Sequence, residues 1–138
     1  MKAGHVAALI VVFVALAGCR RQNDELTGTW AVDVSPMIAE IKAKKGPDAD
    51  TSGMEKVYTD FRYRFEDGEM VTFHRLSDGT EKVLSKDPYS VISRENGCVK
   101  IKEGPAVDSA SYCVQGNTLR ITEKGMTETL VAQRVVGD

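Results

Sequence analysis

The stretch FRYRFEDGEMVTFHRL, residues 61–76, decides the fold. Phe61, Tyr63 and Phe65 alternate with Arg62 and Arg64 without a fault, the period of a strand with one face in a core and the other in water. Glu66-Asp67-Gly68 supplies a turn, and apolar residues resume at Val71 and Phe73. Two closures of this hairpin differ in register. A three-residue loop with a left-handed, bulge-forming Gly68 sets Tyr63 opposite Val71 and Phe61 opposite Phe73, whereas a two-residue Asp-Gly turn sets Tyr63 against Thr72. Matching apolar residues across the pair favours the longer loop, and it turns His74 outward, opposite Asp60.

The same design continues in both directions. Glu95-Asn96-Gly97 reads as a second such loop, pairing Val91 with Ile101 and leaving Tyr89 on their side. Ser77-Asp78-Gly79, Gln115-Gly116-Asn117 and Lys124-Gly125 mark further turns. Strands are expected near 81–85, 89–94, 98–102, 109–114, 118–123 and 127–135, and a first one at 29–34 carries Trp30, Val32 and Val34 on one side. The result is mainly β, an antiparallel up-and-down barrel of about 8–9 strands that leaves no exposed edge. Its inward set is Trp30, Val32, Tyr63, Phe65, Val71, Phe73, Tyr89, Val91, Val99, Ile101, Tyr112, Val114, Leu119 and Ile121. Arg62 and Arg64 point to solvent, and the alternation places no clear inward charge.

Apolar matching also fixes the register of the strands around Cys98 and Cys113. Val99 falls opposite Tyr112 and Ile101 opposite Ala110, and the two cysteines then face each other on the outer, lysine- and serine-bearing side, so a disulfide is expected. Between the first strand and Phe61 two short helices are expected. Ser35-Pro36 starts one, with Met37, Ile38 and Ile41 on its apolar face, Lys44 and Lys45 in its last turn and Gly46-Pro47 as its stop. Ser52-Gly53-Met54-Glu55 has the capping-box pattern of the other, with Met54, Val57, Tyr58 and Phe61 at helical spacing.

Gly28-Thr29-Trp30 opens the first strand, a helix–loop–helix follows it, a meander fills the chain, and Arg134 stands in the last strand, TETLVAQRV. In this layout the chain resembles the calycin superfamily, the lipocalins and fatty-acid-binding proteins. The resemblance implies a lipocalin-like barrel in which Arg134 packs over Trp30 as a structural pair at one end, a guanidinium-on-indole contact. A ligand site then belongs at the other end, beneath the helices. Tyr58, Phe61, Tyr63, Phe65, Phe73, Tyr89 and Tyr112 are the candidate lining, with tyrosine tips to orient a headgroup.

The amino-terminal segment has its own reading. Lys2 precedes an apolar run of about eleven residues, 6–16, too short to span a membrane core that needs about twenty. It ends in Leu16-Ala17-Gly18-Cys19, which resembles the lipobox of bacterial lipoproteins. That resemblance implies removal of residues 1–18, diacylation of Cys19 with fatty chains such as palmitate, and anchoring in a membrane. Residues 19–26, CRRQNDEL, form a polar tether, and 27–138 the barrel domain. Arg20 is not the Asp that marks inner-membrane retention in such lipoproteins, so the periplasmic face of the outer membrane is expected.

Charge is nearly balanced, with 18 Lys and Arg against 20 Asp and Glu, and no basic stripe suggests nucleic acid. His5 lies in the leader, which leaves His74, so a multi-histidine metal centre is excluded and no metal or cofactor is expected. No serine sits in a nucleophile elbow and no triad is evident, so a non-enzymatic monomer is expected. Its partner is a small hydrophobic or amphipathic molecule or, alternatively, an envelope protein bound by a fully packed barrel, as an inhibitor of a hydrolase or an adaptor would be.

Overall fold

The structure, a computed structural model, describes residues 25–103, 109–123 and 125–137. Cys19, the leader and the tether up to residue 24 lie outside the described residues, as does the connection 104–108. The elements run in the order β1 (Gly28–Asp33), α1 (Ser35–Lys45), α2 (Ser52–Tyr58), β2 (Phe61–Glu66), β3 (Glu69–Arg75), β4 (Glu81–Glu95), β5 (Cys98–Glu103), β6 (Ser109–Gln115), β7 (Thr118–Glu123) and β8 (Leu130–Arg134). Each strand pairs antiparallel with the next, and β8 returns to β1 to close the barrel. The up-and-down barrel expected from the alternation is thus present with eight strands, and the two helices follow β1.

The segments 81–85 and 89–94 are one strand. β4 gives its first half to β3 and its second half to β5, and it changes partner at Pro88, which lies opposite Glu69 at the end of β3. Pro88 has no N–H to donate, and here none is needed, because the adjacent Tyr89 amide donates to the Gly68 carbonyl. Bulges interrupt both ladders of β4, and the residues they skip, Leu84 and Ile92, are exposed.

The hairpin read first takes the other register. Tyr63 lies opposite Thr72, Phe61 opposite His74 and Arg64 opposite Val71. Asp67 and Gly68 both have positive φ, 52° and 77°, which makes a two-residue turn of the primed kind between paired Glu66 and Glu69. Val71 and Phe73 are therefore outer-face residues, although both are buried. The Arg64 guanidinium lies 4.8 Å from the centre of the Phe73 ring, and its Nη1 donates to both carboxylate oxygens of Glu81 at 2.9 and 3.0 Å. This arginine strap covers Phe73 on the outside of the barrel, so the apolar character of Phe73 does not mark an inner position. Asn96-Gly97 repeats the two-residue turn, yet Val91 still faces Ile101 because the bulge at Ile92 restores the expected pairing.

β5 and β6 pair in the expected register. Val99 faces Tyr112, Ile101 faces Ala110, and Cys98 is bonded to Cys113. α1 begins at Ser35, whose amide donates to the Asp33 carboxylate, and α2 begins at Ser52, held in the same way by Asp50. Capping thus falls to the Asp two residues upstream, in Asx turns, and not to the two serines. Met37, Met54 and Tyr58 pack inward from the helices, while Val57 is exposed.

Candidate functional site

The two ends of the barrel are built differently. At the lower end, Trp30 is fully buried, its Nε1 donates to the Leu26 carbonyl at 2.8 Å, and Leu26 is itself fully buried. The Arg134 guanidinium lies 4.1 Å from the indole centre and donates to the carbonyls of Thr27 and Glu25 at 2.9 and 3.1 Å. Gly28 has φ of +123°, and a Cβ there would sit 3.2 Å from Arg134 Nη1. The glycine of Gly-Thr-Trp is thus needed both for its backbone conformation and for the approach of the arginine. Above Trp30 the interior is filled by Phe65, Val99, Ile101, Leu119, Ile121, Leu130 and Tyr112, all at most 2% exposed. This end is a seal.

The upper end lies beneath α1 and α2. Six rings run down from it in edge or stacked contact: Tyr58 to Phe61 at 5.6 Å, Phe61 to Tyr63 at 5.2 Å, Tyr63 to Phe65 at 6.3 Å, then Phe65 to Tyr89 and to Tyr112 at 5.5 Å each. All four tyrosines of the chain belong to this series. Of the seven residues expected to line a pocket, the structure joins Tyr58, Phe61, Tyr63, Phe65, Tyr89 and Tyr112; Phe73, on the outer face, is excluded. The rings grade from fully buried Phe65 and Tyr112 to half-buried Tyr58, Phe61 and Tyr89, with Met54, Ile41 and Met126 packed beside them.

His74 belongs here too. The corrected register puts it on the inner side opposite Phe61, with ring centres 5.5 Å apart, and its Nδ1 is 3.0 Å from the Thr59 carbonyl. It does not pair with Asp60.

Two inward carboxylates complete the site. Glu103 continues the inner row Val99, Ile101 of β5, and its Oε1 accepts a 2.7 Å hydrogen bond from the Tyr112 hydroxyl. Glu123 continues the inner row Leu119, Ile121 of β7 and lies opposite buried Ala110. Burial pushes the Glu123 carboxyl up from the usual range, and the charge of Glu103 adds to it. Burial likewise raises the Tyr112 hydroxyl, with Glu103 next in effect; Tyr63 is raised by burial and then by Tyr58, Glu123 and Glu103. Tyr58 is raised by burial and by Glu123. Burial is the largest effect at Tyr58, Tyr63, Tyr112 and Glu123 alike. The expectation of no inward charge is thereby corrected. Both glutamates stand next to turns, where a carboxylate has an ordinary local explanation, yet strict alternation from Ile101 and Ile121 pointed them inward.

Elsewhere, a groove of about 300 Å³ runs along the outer face beside the disulfide, lined by Ser93, Glu95, Asn96, Cys98, Lys100 and Ser111. Among the described residues no group of three or more His, Cys, Asp and Glu could hold a metal ion. The geometry defines a closed eight-stranded up-and-down barrel with one sealed and one aromatic, acid-lined end. No protein-family model matches the chain, and no curated protein matches it.

Proposed function

We propose that this protein is a lipid-anchored, lipocalin-like carrier of the bacterial cell envelope that binds a small hydrophobic or amphipathic molecule and catalyses no reaction. The observation that carries the reading is the ring series from Tyr58 to Tyr112: it begins half-buried under two short helices and ends in a packed core, as the wall of an apolar site does. A barrel needing only stability would place aliphatic residues at these positions, without hydroxyls to hydrate or satisfy. The anchor reading rests on the lipobox at Cys19, and Arg20 supports the outer membrane as its location.

Calorimetric titration of the purified full chain with octanol tests the binding function. One molecule is expected to bind per chain, and Phe61→Ala is expected to weaken it by about tenfold, the scale of one lost aromatic contact. No saturable binding of octanol, together with no co-purified small molecule in native mass spectrometry, would remove the carrier reading. The anchor has a separate test. Cys19→Ala should release the protein from membrane fractions, and continued membrane association without acylation of Cys19 would contradict the lipobox.

A further inference from the structure

We propose that the molecule taken up at the open end is cationic, its positive head held by Glu103 and Glu123 and its apolar part by the tyrosine and phenylalanine rings. The inference rests on the carrier reading above and adds the charge class of the ligand.

Three observations lead to it. First, a carboxylate directed into a barrel interior must be hydrated, neutralised or matched by a cation. Here two are directed inward from β5 and β7, on either side of β6, and burial together with the Glu103 charge pushes the Glu123 carboxyl up. Second, no ion pair among the described residues supplies a matching cation. The ion pairs among the described residues join Lys44 to Glu40, Arg64 and Arg75 to Glu81, Lys86 to Glu69, and Arg94 to Glu25; none reaches Glu103 or Glu123. Lys82, which the register places beside His74, is exposed and pairs with neither glutamate. Third, the walls are of the right kind. Tyrosine and phenylalanine faces carry the negative lobe of the ring quadrupole and attract an ammonium group, with tyrosine hydroxyls as further acceptors. The Tyr112 hydroxyl donates to Glu103 at 2.7 Å while its ring contacts Phe65 at 5.5 Å, so rings and carboxylate address the same space. An anionic amphiphile placed there would meet two like charges and the electron-rich ring faces.

The test uses three probes of one chain length, octyltrimethylammonium, octanol and octanoate, titrated into the purified full chain below their micellar concentrations. The cation is expected to bind at least about tenfold more tightly than the anion, with the neutral probe between them, and the preference should shrink as salt is raised. In Glu103→Gln/Glu123→Gln the preference for the cation over the anion should fall to within about twofold. Circular dichroism checks that this variant folds; if it does not, Glu123→Gln alone is used, and a partial loss of the preference is expected. Equal binding of all three probes by the wild type would overturn the charge assignment and leave the carrier reading standing. An undiminished preference in the folded variant would overturn the two glutamates as its source. Binding of none of the three would end the carrier reading and this inference with it.

Discussion

The end of the barrel closed by Trp30 and the end covered by the helices are built from the same strands with the same alternation, yet they treat polar groups in opposite ways. At the closed end each buried polar atom has a partner within the chain: the indole N–H has the Leu26 carbonyl, and the guanidinium has two carbonyls and an aromatic face. Nothing is left for a ligand to satisfy. At the open end tyrosine hydroxyls and two carboxylates enter the barrel, burial and the Glu103 charge push the Glu123 carboxyl up, and the outer rings are only half-buried. Satisfied contacts stabilise the fold; a partly buried carboxylate whose charge folding disfavours is what a binding site retains, at some cost in stability.

Substitutions can break this comparison, and they fall in order of size. Trp30→Ala should cost the most, about 3–5 kcal/mol in denaturant unfolding, because it empties the centre of the seal. Replacing Cys98 and Cys113 together by serine should cost about 3 kcal/mol, since the bond closes a loop spanning 15 positions of sequence. Arg134→Met should cost about 2 kcal/mol through the lost carbonyl hydrogen bonds and ring contact. Gly28→Ala should cost about 1–2 kcal/mol, from its positive φ and the close approach of Arg134.

The open end should answer differently. Glu123→Gln is expected to leave stability within about 0.5 kcal/mol at neutral pH, on the stabilising side. The sign follows from linkage. A carboxyl whose pKa is raised by folding binds more protons in the native state, so its ionisation lowers stability as pH rises through the window above its unfolded value. The advantage of the glutamine variant should therefore vanish as the pH falls below that window, which paired unfolding curves at neutral and acid pH would show. A loss of several kcal/mol on this substitution would mean that the open end is a seal like the other.

How much of this was legible in the sequence also differs between the ends. The seal could be read from Gly28, Trp30 and Arg134, because its parts are rare residues in fixed places. The disulfide could be read because only one register brings Val99 and Ile101 against Tyr112 and Ala110. The hairpin at Gly68 was misread for a physical reason. β3 is buried on both faces from Met70 to Phe73, so its apolar residues do not declare which side is inside, and an arginine strap on the outer face does the covering that a core would do. That one-residue difference turned His74 inward and Phe73 outward. β4 concealed its continuity because Pro88 resembles a break until the change of partner strand is seen. Glu103 and Glu123 were legible by alternation, but their place beside turns offered a simpler explanation.

The division between the two ends can be measured directly by following methyl and indole resonances while the protein is titrated with octanol. The chain has one tryptophan, so its indole N–H reports on the closed end alone, and the methyls of Met54 and Met126 report on the open end. Saturable shifts of both methionine methyls with a stationary indole N–H are predicted. A shift of the indole with silent Met54 and Met126 would contradict the account.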